Sequence, residues 1–179
     1  MKNTSSKKTE SYSLIQIAGF MAVAARTAPK AKGTDNIETL VISDKKLKSK
    51  LIDFMNKTAK THNKPGFKRD AENCKDSPAI LLIGTKTEPI GLTHCSFCGY
   101  KDCSALLKAK ATCAYNTIDL GIAVGSAVSV ASDFRIDNRI MYSIGKAALE
   151  INLFKNKKVK IALGIPLSCS GKSPFFDRK

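Results

Sequence analysis

The sequence predicts an α+β domain in which a small β-sheet is flanked by helices and carries a cysteine-rich loop. Short apolar stretches that suit strands alternate with longer stretches whose apolar residues recur at helical spacing. The chain has 179 residues, of which 43% are hydrophobic, so it can bury one core of ordinary size. We therefore expect a single domain over residues 1–179, with a polar tail at residues 1–12.

The N-terminal third predicts a helix, a strand and a second helix in that order. An almost wholly apolar stretch at residues 14–26 predicts the first helix, with Ser13 as its N-cap and Pro29 beyond its end. The segment ETLVIS at residues 38–43 has the composition of a short strand. Asp44 can cap the next helix, whose apolar residues recur every three or four positions.

The remainder of the chain predicts a loop, two strands and two helices. An Asn-Lys-Pro-Gly sequence predicts a loop at residues 62–67, and the continuous apolar run at 79–84 predicts a buried strand. Beyond the cysteines, residues 116–132 predict a helix of small side chains, which can closely approach another helix, a cofactor or a symmetry mate. A helix over 138–154 and a strand over 159–163 complete the prediction.

The charge pattern argues against nucleic acid as a partner. The chain has 30 Lys and Arg residues against 15 Asp and Glu residues, which gives a net charge of +15. Only five of the 30 are Arg, the residue that base reading and bidentate phosphate contacts favour. There is no tryptophan, and aromatic residues do not alternate with basic ones as in single-strand binders. We expect most lysines to be solvated, with an anionic partner, either a nucleic acid or an acidic redox protein, as the alternative.

Neither a membrane span nor an export signal is predicted. The longest apolar runs, residues 14–25 and 120–131, have 12 residues each, whereas a spanning helix needs about 20. The first 13 residues are polar and lack the apolar stretch of a signal peptide. We therefore expect a cytoplasmic protein without a membrane partner.

Four of the six cysteines fall within 19 residues and form the main functional motif. Their spacing is Cys95-x2-Cys98-x4-Cys103-x9-Cys113. Three thiolates within nine residues on a glycine-containing loop can wrap one face of a compact cluster, and Cys113 can close it. Iron–sulfur clusters are held by such thiolates and are tuned by hydrogen bonds to their sulfurs. The sequence therefore predicts a [4Fe–4S] cluster held by the segment 94–113.

Two alternatives to the iron–sulfur cluster remain open from the residues alone. A structural zinc ion accepts the same four thiolates, although zinc sites more often pair two C-x2-C units and the second unit is missing here. Free buried cysteines are the other alternative, although these seldom cluster so tightly. Cys74 or Cys169 could also replace Cys113 as the fourth ligand, but both fit ordinary small apolar residues better.

Four stretches give the chain a resemblance to a known family. They are AARTAPKAKGTDNIETL (24–40), HCSFCGYKDC (94–103), the segment 113–150 and GIPLSCSGKSPFFDR (164–178). These stretches resemble a family of uncharacterised prokaryotic proteins named for a ferredoxin domain, and the resemblance covers nearly all of the chain after residue 10. It implies a metal cluster but no particular reaction.

The order of elements also resembles, more loosely, the fold of the FMN-dependent nitroreductases. The matching features are Ala28-Pro29, Asn36, the small-residue helix and the sequence Gly164-Ile165-Pro166. The resemblance implies a homodimer and a flavin whose phosphate is held by basic residues near both ends of the chain. The paired arginines expected before the first helix are absent. The candidate flavin contacts implied by the resemblance are Arg26, Lys30, Lys32, Asn36, Lys172 and Arg178.

The combination predicts an iron–sulfur redox protein that transfers electrons through its cluster. A cluster passes one electron at a time and a flavin accepts one or two, so a bound FMN would be a suitable next carrier toward a small acceptor. A flavin-dependent oxidoreductase is therefore the enzymatic interpretation, in which no catalytic residue, electron donor or final acceptor is identified. The alternative is a non-catalytic binding module, stabilised by zinc or a cluster, whose basic surface engages an anionic partner.

Overall fold

The computed structural model describes residues 4–176, which contain six α-helices, one short 3-10 helix and four β-strands. The α+β class predicted from the sequence is confirmed. No helix within residues 4–176 combines the length and the apolar character needed to cross a membrane. In chain order the elements are α1 (Ser6–Thr27), the 3-10 helix (Ala31–Gly33), β1 (Ile37–Ile42), α2 (Lys45–Thr61), α3 (Pro65–Cys74), β2 (Ala79–Lys86), α4 (Cys103–Lys108), α5 (Ala114–Asp133), β3 (Asp137–Asn138), α6 (Tyr142–Glu150) and β4 (Val159–Ser168).

The four strands form one antiparallel sheet in the order β1-β2-β4-β3. The apolar run that predicted a buried strand is β2, which lies inside this sheet. Its Leu81 and Ile83 belong to the core formed with α1 and α5, whereas Ile80 and Leu82 belong to the core formed with α2, α3 and α6. Because both faces of β2 are covered by helices, residues 79–84 are apolar at every position rather than at alternate ones.

Helices α1 and α5 pack against each other on one face of the sheet. Ser126 Oγ donates a hydrogen bond to the carbonyl oxygen of Ala24 at 3.0 Å, and the rings of Phe20 and Phe134 stack with centroids 6.4 Å apart. The two helices therefore run antiparallel. The small residues of α5 allow this close approach, and those at the centre of the contact are fully buried: Ala123, Ala127 and Ala131.

Helix α6 lies directly on the backbone of β4 on the opposite face. A Cβ atom added at Gly145 would lie 1.9 Å from the carbonyl oxygen of Ala162, and one at Gly164 would lie 2.2 Å from Cγ2 of Ile144. Met141 and Gly164 exchange two backbone hydrogen bonds, of 2.8 and 3.0 Å, at the start of the helix. Glycine is required at both contact points because there is no room for a side chain.

The sequence-based prediction is wrong at several element boundaries, including the end of α6 at Glu150 rather than 154 and the end of β4 at Ser168 rather than 163. Helix α1 begins at Ser6 rather than at residue 14, so part of the predicted polar tail is helical and Ser13 is not its N-cap. The predicted loop at 62–67 contains the start of α3, where Pro65 occupies a first-turn position that suits proline. The helix expected from residue 138 begins at Tyr142, because the residues before it pair with β4.

Candidate metal centre

The four clustered cysteines line one cavity of about 410 Å³ next to the N-terminus of α5. Cys95 and Cys98 come from the loop before α4, Cys103 is the first residue of α4, and Cys113 is the residue before α5. The structure therefore brings together all four residues that the spacing singled out.

The loop before α4 turns sharply twice around this cavity. His94, Ser96 and Gly99 all have positive φ, of 51°, 49° and 82°. The Gly99 N–H donates to the carbonyl oxygen of Ser96 at 2.9 Å and closes the second turn. Glycine adopts this conformation without the steric cost that a Cβ brings. The two turns present Cys95 and Cys98 to the same cavity.

Two of the four cysteines, Cys103 and Cys113, lie at the N-termini of helices, which fix their positions. The Asp102 carboxylate accepts a hydrogen bond of 2.8 Å from the Ala105 N–H and caps α4. This helix was not predicted from the sequence, although an Asp before Cys-Ser-Ala-Leu-Leu is a helix-start signal. Cys113 occupies the N-cap position of α5, a helix of 20 residues. The partial positive charge at the start of α5 therefore lies beside the cavity, where it stabilises an anionic thiolate-bound group.

A small hydrophobic cluster supports the cavity from inside. Ile90, Leu106 and Cys113 are buried in it, and Tyr115 packs against it. Ala31, from the 3-10 helix after α1, also packs there, and its N–H donates to both oxygens of the buried Asp119 carboxylate at 3.1 and 3.2 Å. The cluster thus fixes the cysteine segment against the loop that contains the candidate flavin contacts.

The four cysteines line a shared cavity, and its size bears on what they could hold. A zinc ion lies about 2.3 Å from each sulfur, which would bring four sulfurs to within about 3.8 Å of one another. No group of three or more His, Cys, Asp or Glu side chains among residues 4–176 is arranged to hold a metal ion in this way. Four thiols around a cavity of about 410 Å³ leave room for the iron and sulfide atoms of a cluster. The donor set therefore fits an iron–sulfur cluster, and structural zinc takes the same four thiolates.

Cys74 and Cys169 do not line this cavity. Cys74 is fully buried in the core of α2, α3 and α6, where burial, and to a smaller extent the Asp70 carboxylate, raises the pKa of its thiol to about 12. Cys169 follows β4 and is exposed. The pKa of its thiol is raised, mainly by the part of the side chain that is shielded from water and secondly by the charge of Glu10. Of the three cysteines considered for the fourth position, Cys113 alone lines the cavity with the other three candidate ligands.

Two of the candidate flavin contacts already have partners within the chain. The Arg26 guanidinium donates to the carbonyl oxygen of Ile37 and lies 2.6 Å from an Asp35 carboxylate oxygen. The Lys30 ammonium donates to the carbonyl oxygens of Arg26 and Ala28 at 2.6 and 2.8 Å, and its side chain is only 6% exposed. Both cations therefore hold the loop after α1 together.

The other candidate flavin contacts lie in three different settings. Lys32 and Lys172 are exposed, Asn36 is buried, and Arg178 lies outside the described residues. None of the five described candidates lines the cysteine cavity or either of two further cavities on the described surface. These candidates therefore do not converge on the cysteine cavity.

Two buried side-chain amides are left without partners near these segments. Asn36 Nδ2 and both amide atoms of Asn116 make no hydrogen bond within residues 4–176. Asn116 lies three residues after Cys113, at a position the sequence showed only as the start of a helix. Because an unsatisfied buried amide costs about 1–3 kcal/mol, each is a candidate donor to a group bound nearby.

The fold defines an α+β protein of the nitroreductase-like class. A BluB-like flavoprotein from Clostridium difficile is 18% identical, with a TM-score of 0.60. The match covers 99% of this chain and 84% of that one. A nitroreductase with bound FMN from Bacteroides fragilis is 9% identical, with coverage of 99% and 84% and a TM-score of 0.61. Another from Desulfitobacterium hafniense is 12% identical, with coverage of 96% and 81% and a TM-score of 0.57. At these identities the similarity concerns the fold.

The chain belongs to the family of uncharacterised proteins containing a ferredoxin domain. The family's sequence profile matches residues 109–178. An uncharacterised protein from Archaeoglobus fulgidus is 43% identical over 173 residues, which cover 92% of this chain and 91% of that protein. The matched profile segment includes Cys113, whereas Cys95, Cys98 and Cys103 precede it. The family expected from the sequence motifs is confirmed.

Proposed function

We propose that this protein is an iron–sulfur redox protein that transfers electrons through a [4Fe–4S] cluster bound by Cys95, Cys98, Cys103 and Cys113. The observation that carries this proposal is that these four thiols line a single cavity. The family's ferredoxin-domain description supports the same class of function. When bound, such a cluster supplies one-electron chemistry.

The chain's own groups give this cavity the properties that a redox cluster needs. The N-terminus of α5 adds partial positive charge beside the thiolates, which favours the more negative, reduced state. Ile90 and Leu106 limit water on the inner side. The Lys101 side chain lies at the cavity wall and is exposed, so its charge acts on the group from the solvent side. Charge and solvent exposure are two of the factors through which a protein sets a cluster's potential.

Two matched Cys→Ser variants test the ligand set. Protein purified without oxygen is expected to show a broad brown absorption that bleaches on addition of dithionite, with about four iron and four sulfide ions per chain. Cys113→Ser should lose most of this iron and sulfide, because it removes one of four ligands. Cys169→Ser makes the same chemical change at an exposed site outside the cavity and should keep both.

Two results would contradict the proposal. If Cys169→Ser empties the site while Cys113→Ser leaves it filled, the ligand assignment is wrong. If the protein is colourless and contains about one zinc ion per chain, the redox function is wrong. The second result would instead support the binding module stabilised by zinc, with the basic surface as its functional feature.

The proposal includes FMN as a second cofactor, at a site completed by a second copy of the chain. It is supported by the similarity of fold to FMN-bound nitroreductases and by the unpartnered amide of Asn36. The five described candidate contacts line none of the three cavities in one copy, so we expect a second copy to supply part of the flavin site. Titration of the protein with FMN should quench flavin fluorescence in the dimer, and absence of quenching would remove flavin from the proposal.

A homodimer is the assembly we propose. The outer face of the α1–α5 pair exposes apolar side chains, including Phe20, Val23 and Ile122, next to the uncovered Gly125. Exposed apolar patches of this kind mark interaction surfaces. Light scattering should give about twice the 19.4 kDa chain mass for the wild type and for Ile140→Glu, a control outside these helices. Ile122→Glu should give the monomer mass, and a dimer of this variant would place the interface elsewhere.

We also propose a cytoplasmic location. The six cysteines form no disulfide with one another, which suits a reducing compartment because disulfides are rare there. Fractionation of the source cells should recover the protein with cytoplasmic markers. Recovery with exported proteins would contradict this part of the proposal.

A further inference from the structure

Two large apolar side chains of the cysteine segment are exposed. Phe97 is 68% exposed and Leu107 is 60% exposed. The Phe97 ring is held in place, because it stacks on Tyr115 with centroids 5.7 Å apart and an interplanar angle of 10°. Tyr115 itself lines the cysteine cavity. Exposed apolar side chains that are fixed beside a functional cavity are typical contact points for another protein.

The same segment is also positively charged. Lys101, Lys108 and Lys110 are exposed, and none of the ion pairs of the described residues involves them. Lys101 lines the cavity, Lys108 ends α4, and Lys110 follows in a turn that its N–H closes onto the Leu107 carbonyl oxygen at 3.0 Å. The sequence from 94 to 115 contains one acidic residue, the helix cap Asp102. An anionic partner would therefore meet little repulsion here.

We propose that the surface formed by Phe97, Lys101, Leu107, Lys108 and Lys110, termed the cysteine-side surface, docks a small acidic electron-carrier protein. This inference rests on the proposed function, since the carrier's role is to reduce the cluster. One electron leaves the carrier's reduced group and enters the oxidised cluster, so the carrier is oxidised and no bond or proton is transferred. The lysines steer an acidic partner to the surface, and the apolar residues exclude water at the point of contact.

Positive charge is also found elsewhere on the molecule, so charge alone does not identify the cysteine-side surface as the docking site. Helix α2 contains several exposed lysines as well, but it packs on the opposite face of the sheet from α1 and α5. A carrier bound at α2 would be separated from the cysteines by the sheet. The cysteine-side surface combines basic residues, exposed apolar residues and the cavity itself.

Charge reversal at two places on the molecule tests the proposal. The probe is a plant-type ferredoxin, an acidic one-electron carrier of low potential. Calorimetric titration at low salt should give a Kd that Lys108→Glu/Lys110→Glu raises at least about tenfold. The control Lys50→Glu/Lys57→Glu makes the same charge change on α2 and should raise it less than about threefold. The rate at which reduced ferredoxin reduces the cluster should fall in parallel with binding.

An apolar variant and a potential measurement complete the experiment. Phe97→Ala leaves the charge unchanged and should raise the Kd about tenfold, because it removes an aromatic contact. The midpoint potential of the cluster should be the same in both charge-reversed variants, which separates docking from tuning of the cluster.

Three outcomes overturn the inference. They are the absence of ferredoxin binding to the wild type, equal weakening by the two double variants, and a rate loss caused by a shifted potential at unchanged Kd. Iron analysis and the visible spectrum test the proposed function independently, because calorimetry measures docking whether or not a cluster is present. A protein that contains its cluster but fails these binding tests would keep the proposed function and lose the docking surface.

Discussion

Gly145→Ala tests the contact of α6 with the backbone of β4. The added Cβ would lie 1.9 Å from the Ala162 oxygen, 2.3 Å from its carbonyl carbon and 2.6 Å from the Leu163 nitrogen. Ordinary non-bonded contacts lie near about 3.5 Å, so helix and strand would have to separate by about 1.5 Å. All three atoms are backbone atoms, which no change of rotamer can move. Overpacking of this kind costs about 1–3 kcal/mol and occasionally more, and we expect about 3 kcal/mol here.

Part of this cost is offset by the helix preference of alanine. Replacing glycine by alanine inside a helix gains about 0.5–1 kcal/mol, so the net loss in free energy of unfolding should be about 2 kcal/mol. Urea denaturation followed by circular dichroism measures it, and the melting temperature should fall by about 4–8 °C. Gly19→Ala is the matched control, because nothing lies within 4 Å of its added Cβ on α1. The control should be slightly more stable than wild type.

A single result would refute this reasoning. If Gly145→Ala is as stable as wild type while Gly19→Ala behaves as expected, α6 does not lie on the β4 backbone at this distance. The helix layer of α2, α3 and α6 would then be packed differently against the sheet.

Three further predictions concern a buried thiol, a buried carboxylate and a helix cap. Folding raises the pKa of Cys74 from about 9 to about 12, so the folded state binds more protons between these values. Stability should therefore fall by at most about 1.4 kcal/mol per unit from pH 9 upward, and Cys74→Ala should flatten this dependence in urea titrations at several pH values. Asp119→Ala removes both acceptors of the Ala31 N–H and should cost about 1–3 kcal/mol, with faster proteolysis of the loop after α1. Asp102→Ala removes the cap of α4 at a cost of about 1 kcal/mol and should speed iron loss to a chelator, whereas the cap variant Asp44→Ala on α2 should not.

Each of these three predictions would be contradicted by a specific result. An unchanged alkaline slope in Cys74→Ala would mean that another group sets it. Wild-type proteolysis of Asp119→Ala would show that the 3-10 helix is held by its other contacts. Equal iron loss from Asp102→Ala and Asp44→Ala would separate the α4 cap from the metal centre.

Local sequence patterns were sufficient for several elements and for the candidate ligands. The apolar run of β2 and the Asp44 cap of α2 depend on neighbouring residues, and both are observed. The four cysteines line one cavity because they lie in one short segment, so their spacing carried the necessary information. The start of α1 at Ser6 was missed because its first turns are polar and exposed, without apolar periodicity.

The roles of Arg26 and Lys30 could not be read from the sequence. Their partners include backbone carbonyl oxygens and the Asp35 carboxylate, which become available only when the loop after α1 folds. A basic residue at a matching position in a related fold says nothing about which acceptors the new loop offers. Asn36 shows the converse, because its unpartnered amide is visible only once its burial is known.

The cysteine segment and the loop after α1 pack against the same hydrophobic cluster. This contact constrains where a second cofactor bound at the loop could lie relative to a cluster bound at the cysteines. Ala31 packs into the hydrophobic cluster that includes Cys113, while its N–H is held by Asp119 on α5. Cys113 begins the same helix, so one rigid element positions both the last candidate ligand and the loop. A flavin bound against that loop would therefore lie at a fixed place relative to the cluster. Rigid placement of this kind favours electron exchange between two groups, because no domain movement is needed to bring them together.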